Sequence, residues 1–157
     1  MKINPALAFE KFRLPYPNRG IIGHRGLSSE APENTKASFM AAAEAGLSWV
    51  EFDIQRCASG EWVVFHDETL ERTSNGRGPL RDKAFTELKS LDVGSWFDPR
   101  FAHERILSLA EVLPLLSHLG LHPNIEVKFF EADAETDMTQ MAAQIGPIVE
   151  RYWIHHT

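Results

Sequence analysis

Glu51 and Asp53 stand two residues apart in the run Trp49-Val50-Glu51-Phe52-Asp53. Side chains two apart on a strand leave the same face, so these carboxylates project together. Side by side they repel unless a cation or a proton lies between them. The flanking Trp49, Val50, Phe52 and Ile54 read as a buried strand, where carboxylates need partners. A third carboxylate, Glu126, sits in a similar run, Asn124-Ile125-Glu126-Val127-Lys128. Three such groups on two strands form the oxygen-rich cluster that Mg²⁺ or Ca²⁺ prefers.

His24 closes the run Gly20-Ile21-Ile22-Gly23, and His66 closes Trp62-Val63-Val64-Phe65. One histidine at a strand end is more often structural than catalytic. Two of them, near three carboxylates, can share proton traffic, one taking a proton from a nucleophile and the other giving one to a leaving group. Arg25 and Lys128 add fixed positive charge, and the arginine fork suits phosphate because it binds two oxygens. A divalent metal, two histidines, an arginine and a lysine fit hydrolysis of a phosphate diester. His103, His118, His122, His155 and His156 lack this context and read as surface residues. Cys57 has no base beside it, and Gly76-Arg77-Gly78 is too generic for a phosphate cradle.

The elements that must position these groups alternate between strand and helix. Residues 1–19 form a proline-bearing, extended lead-in, and Ile21-Ile22 read as a short buried strand. A helix opens near Asn34-Thr35, either of which can cap it, carries Phe39, Ala42 and Ala43 on one face, and stops at Gly46. Strands follow at about 48–54 and 61–66, joined by a hairpin-like turn at Ala58-Ser59-Gly60. The stretch after His66 is polar and irregular, a pattern more often functional than idle, with a short helix around Thr86–Leu91. Ser108-Leu109-Ala110-Glu111 is a capping box for a helix that Pro114 should bend and Gly120 should end. Asn124–Lys128 is a strand, and a last helix striped by Met138, Met141, Ala142 and Ile145 is predicted to break at Gly146-Pro147. Alternation of this kind predicts an α/β fold with parallel strands.

The chain has 157 residues, enough for one core, and a net charge of -6, which argues against a nucleic-acid or anionic-membrane binder. No run is long enough to insert stably in a membrane, the N-terminus lacks an apolar signal core, and a single cysteine forms no internal disulfide, so a cytoplasmic protein is expected.

The ordered segments His24-Arg25-Gly26, Pro32-Glu33-Asn34-Thr35, Glu51-Phe52-Asp53, Val63-Val64-Phe65-His66-Asp67, Leu70-Glu71-Arg72-Thr73, Gly94-Ser95-Trp96-Phe97 and Asn124-Ile125-Glu126-Val127-Lys128 resemble the glycerophosphodiester phosphodiesterases of bacterial cytoplasmic type. The resemblance implies a (β/α)₈ TIM barrel with the site at the C-terminal ends of the strands. It implies Glu51, Asp53 and Glu126 as ligands of Mg²⁺ or Ca²⁺, and His24 and His66 as general acid and base. Arg25 and Lys128 would hold the phosphate and Glu33 would orient the site. The substrate implied is a small glycerophosphodiester, cleaved to an alcohol and sn-glycerol 3-phosphate. Residues 20–157 would form the domain, with a small insertion at about 67–105, after the second barrel strand, that shapes the glycerol end.

Two segments depart from the pattern, Cys57-Ala58-Ser59-Gly60 and Leu107-Ser108-Leu109, and neither touches the expected chemistry. Length departs more, since such a barrel takes about 250 residues. The expectation is a partial barrel, with Glu150–Thr157 lying where a fourth barrel strand should begin. Its open edge should leave the chain unstable or prone to associate with another chain. Two alternatives are a truncated, non-catalytic product and a related barrel lipase acting on sphingomyelin or phosphoinositide. The Pro-Glu-Asn-Thr and Gly-Ser-Trp-Phe segments favour the glycerophosphodiesterases over the lipases.

Overall fold

One strand, β2 (Trp49–Arg56), pairs with every other strand of the sheet. In this computed structural model, which describes residues 20–130 and 138–153, β1 (Ile22–His24) lies parallel to β2, with Ile22 opposite Trp49 and His24 opposite Glu51. On the other side β4 (His122–Val127) is also parallel, with Glu51 opposite Asn124 and Asp53 opposite Glu126. The hairpin partner β3 (Trp62–Val64) runs antiparallel to the end of β2, as the glycine-bearing turn predicts. The predicted lead-in, residues 1–19, and residues 154–157 lie outside the described residues.

Alternation gives β2 two different faces. Val50, Phe52 and Ile54 are fully buried in a core shared with α1 (Lys36–Glu44) and α3 (Leu109–His118). Phe39 of α1 meets Phe52 edge to face, with ring centroids 5.8 Å apart. The opposite face carries Trp49, Glu51 and Asp53. Thr35 caps α1: its hydroxyl accepts from the Ser38 amide at 3.3 Å, while the Ser38 hydroxyl accepts from the Thr35 amide. In α3 the Glu111 carboxylate accepts from the Ser108 amide at 2.9 Å, as the capping box predicts.

Residues 67–105 build a second core together with the β2–β3 hairpin. Leu70, Leu80, Leu88, Val93 and Ile106 pack with Val63 and Phe65, around short turns at Leu80–Asp82 and Pro99–Phe101 and the single-turn helix α2 (Phe85–Leu88). The buried Glu104 accepts from the Ala37 amide at the start of α1, which ties this segment to the barrel-side helix.

Three expectations change. Ile21 and Ile22 are 38% and 48% exposed, not buried. Ile22 lies level with Trp49 and His122 across the sheet, and all three are exposed at the strands' N-terminal end. The last helix, α4 (Met138–Tyr152), runs unbroken through Gly146 and Pro147. Proline forfeits one hydrogen bond, but Met141, Ile145, Ile148, Val149 and Tyr152 all pack on the core, which outweighs that loss. Glu150, Arg151 and Tyr152 accordingly form the last turn of α4 and do not begin a strand.

Phe52→Ala should cost about 3–5 kcal/mol of stability and Ile54→Val about 0.5–1.5 kcal/mol. Urea unfolding of the two variants checks the ranking.

Candidate active site

The register of β2 on β4 assembles the carboxylates. Glu51 and Asp53 leave one face of β2, and Asp53 lies opposite Glu126. Glu51, Asp53 and Glu126 each offer an oxygen, all within 4.8 Å of one another. Asp53 is almost wholly buried and is held on three sides. Asn34 Nδ2 donates to its Oδ2 at 2.8 Å, Arg25 Nε lies 3.4 Å from the same oxygen, and Lys128 Nζ lies 3.0 Å from Oδ1. Lys128 also bonds Glu126, so one ammonium bridges the two strands. Glu51 is less well provided. Its Oε2 accepts from the Arg25 amide at 3.0 Å, whereas its buried Oε1 has no hydrogen-bond partner among the described residues. Burial, then the charges of Asp53 and Glu126, push the Glu51 carboxyl above its ordinary range; the Arg25 amide and His24 oppose this. A buried carboxylate oxygen without a donor, facing two more carboxylates, fits a divalent cation.

The loop after β1 supplies the first basic groups. Arg25 takes a left-handed backbone, φ +55°, a conformation uncommon outside glycine. That turn sends its amide to Glu51 and its Nη1 to Glu33 at 2.9 Å. Gly26 follows at φ +82°, where a Cβ would lie 2.4 Å from the Ser38 hydroxyl, so a bare backbone lets the loop lie against α1. His24 Nε2 lies 3.8 Å from Glu51, and the ring is 67% exposed, open to a ligand.

His66 is placed differently. Its Nδ1 is 2.6 Å from Asp67 Oδ1. Arg72 bonds both oxygens of Asp67 and both oxygens of Glu33. The Arg72 bonds, with a smaller share from His66, hold the Asp67 carboxyl down at about 2. Burial works against the ionised form of Glu33, but Arg72 and Arg25 outweigh it and lower that carboxyl too. Gln55, buried on β2, donates to the carbonyls of Phe65 and Asp67 and pins the turn.

The structure thus brings together Glu51, Asp53, Glu126, Lys128, Arg25 and His24, with Glu33 beside Arg25. Among the described residues no hydrogen bond or ion pair joins His66 to the three carboxylates. It is linked to them through Asp67, Arg72, Glu33 and Arg25. Asn34, read from the sequence as a candidate helix cap, and Asp67, Arg72 and Gln55 were not singled out as site residues. The first three lie inside the resembling segments, and their partners, up to 39 residues away, are set by the fold.

The profile of the Glycerophosphoryl diester phosphodiesterase family matches residues 24–153. The chain belongs to this family. A curated member, the glycerophosphodiester phosphodiesterase of Caldanaerobacter subterraneus subsp. tengcongensis, is 45% identical over 108 residues, 69% of this chain and 44% of that protein. The glycerophosphodiester phosphodiesterase of Bacillus subtilis is 32% identical over 88% of this chain and 49% of its own length. Among solved structures, an Oleispira antarctica phosphodiesterase in complex with the product sn-glycerol-3-phosphate superposes with a TM-score of 0.78 at 36% identity, covering 85% of this chain and 53% of that one. The enzyme of Agrobacterium tumefaciens gives 0.73 at 34% identity, over 83% and 52%. The chain spans about half the length of the relatives it matches. Its three parallel strands, helix-covered and unclosed, are the expected partial TIM barrel.

The depressed Asp67 carboxyl has a pH signature. The stabilisation is complete above the ordinary aspartate value near 4 and is lost as pH falls through the folded value of about 2. Asp67→Asn should flatten this acid limb. Urea midpoints of both chains across the acid range check it.

Proposed function

We propose that the chain is the metal-binding part of a phosphodiesterase that hydrolyses glycerophosphodiesters to an alcohol and sn-glycerol 3-phosphate. The observation that carries this is the Glu51–Asp53–Glu126 cluster, with a Glu51 oxygen that has no partner among the described residues, set among His24, Arg25 and Lys128. The Oleispira relative's complex with sn-glycerol-3-phosphate supports the product class. On this reading Glu51, Asp53 and Glu126 hold Mg²⁺ or Ca²⁺. The bound cation would supply positive charge to the phosphate oxygens as they gain charge.

The remaining roles belong to this chain's side chains. Arg25, held by Glu33 and lying beside Asp53, offers its fork to phosphate. Lys128 adds a point charge from β4's end. His66 keeps Nδ1 toward Asp67 and leaves Nε2 for proton transfer, while His24, open to solvent, serves the other proton. As the P–O bond to the alcohol breaks, one histidine takes the proton of the attacking oxygen and the other protonates the leaving oxygen. A cytoplasmic site of action is the reading the sequence favours; among the described residues no helix is long and apolar enough to cross a membrane.

A second reading has one observation behind it. The outer edges of β1 and β4 pair with nothing among the described residues. This length would then bind metal without turnover, or associate with another chain through that edge.

The test is turnover of glycerophosphocholine by the purified chain with Mg²⁺ or Ca²⁺. Release of sn-glycerol 3-phosphate should depend on metal and fall about 10²–10⁴-fold in His66→Ala. No turnover by a folded chain sinks the catalytic reading. Metal binding is read separately. Mg²⁺ or Ca²⁺ at a hundred times its Kd should stabilise the chain by about 2.7 kcal/mol. Glu51→Gln should abolish that gain while stabilising the metal-free chain, because it removes one of three crowded charges. Thermal melts with and without chelator check both.

A further inference from the structure

Arg72 has no part in the chemistry described so far, yet its guanidinium joins the site's two halves. It lies in the segment after β3 that builds the second core with the β2–β3 hairpin, and reaches back to the rim. Nη2 donates to Asp67 Oδ1 at 2.8 Å, and Nε bonds Oδ2. Nη1 and Nη2 donate to the two oxygens of Glu33 at 2.9 and 2.7 Å. Each carboxylate has a second partner. Asp67 faces His66 Nδ1 at 2.6 Å, and Glu33 accepts from Arg25 Nη1 at 2.9 Å.

The chemistry of these bonds gives the bridge its consequence. An ionised carboxylate only accepts, so Asp67 selects the imidazole form with its proton on Nδ1 and leaves Nε2 free to exchange one. A carboxylate gripped on both oxygens also has a fixed plane, which fixes the ring that bonds it. Only a planar fork can hold two carboxylates in this way; an ammonium has no such plane. We propose that Arg72 is a positioning residue: by holding Asp67 and Glu33 on one guanidinium, it sets the His66 tautomer and the aim of Arg25 together. The proposal rests on the phosphodiesterase reading for the roles of His66 and Arg25, but the geometry can be read without turnover.

The experiment uses the full chain and its Arg72→Ala and Arg72→Lys variants. Long-range ¹H–¹⁵N correlation spectra report the His66 nitrogens above the histidine titration range, and kcat and KM are measured on glycerophosphocholine with Mg²⁺. His66 should hold its proton on Nδ1 in the parent chain and move toward the mixed tautomers of free imidazole in Arg72→Ala. kcat should fall on the order of 10- to 100-fold, the scale of losing a partner that orients a site ligand. Added guanidinium should restore part of it in Arg72→Ala, and Arg72→Lys should stay impaired although it keeps the charge. A merely structural staple would lower the melting temperature without moving the tautomer or answering to guanidinium. An unchanged His66 tautomer in Arg72→Ala overturns the proposal, as does parent-level turnover. If Arg72→Ala does not fold, Arg72→Lys carries the same two readouts. If the parent chain proves inactive, the catalytic reading fails and the nitrogen shifts alone decide the role of Arg72.

Discussion

The repulsion among Glu51, Asp53 and Glu126 is the constraint on which the site depends. Parallel pairing of β2 and β4 in one register forces Asp53 against Glu126, with Glu51 one step back along the strand. Three carboxylates this close, one of them nearly inaccessible, cannot all stay ionised without positive charge or donors nearby. The neighbourhood answers with Lys128 bridging two strands, Arg25 and Asn34 on Asp53, and an amide on Glu51. It answers incompletely, since one Glu51 oxygen has no donor among the described residues. A divalent cation fits that residual imbalance.

The same strand reconciles a charged site with a stable core. Glu51 and Asp53 carry charge on one face of β2, and Val50, Phe52 and Ile54 anchor α1 and α3 on the other. The packing that makes the sheet rigid therefore also sets the spacing of the carboxylates. Arg25 adds local strain to the same end. Its left-handed backbone turns an amide toward Glu51, and Gly26 lets the chain pass close over α1. A backbone conformation that is unfavourable by itself persists where surrounding contacts over-determine it.

Much of this could be read from residue order. Period-two alternation located β2 and its carboxylates, the Asn34-Thr35 pair and the Ser108 capping box marked helix starts, and the glycine-bearing turn predicted the β2–β3 hairpin. Elsewhere local rules failed for identifiable reasons. Gly146-Pro147 looked like a break, but burial of the apolar stripe of α4 outweighs one missing hydrogen bond. Ile21 and Ile22 looked buried because their composition is apolar, and composition does not reveal whether a second layer covers a strand. The irregular stretch after His66 gave no sign that it would build a second core with the β2–β3 hairpin.

The sequence by itself determined the chemical inventory: three carboxylates at strand positions, two histidines and two cations at strand ends, and an ordered set of segments specific enough to indicate the family. Those properties follow from residue type and from the two-residue period of a strand, which are local. The tertiary structure alone decided the connections: that Asp53 faces Glu126, that Lys128 bridges them, that a chain of side chains through Asp67, Arg72 and Glu33 links His66 to Arg25. These contacts join residues tens of positions apart, and their geometry is set by strand register and loop packing, which no local pattern encodes.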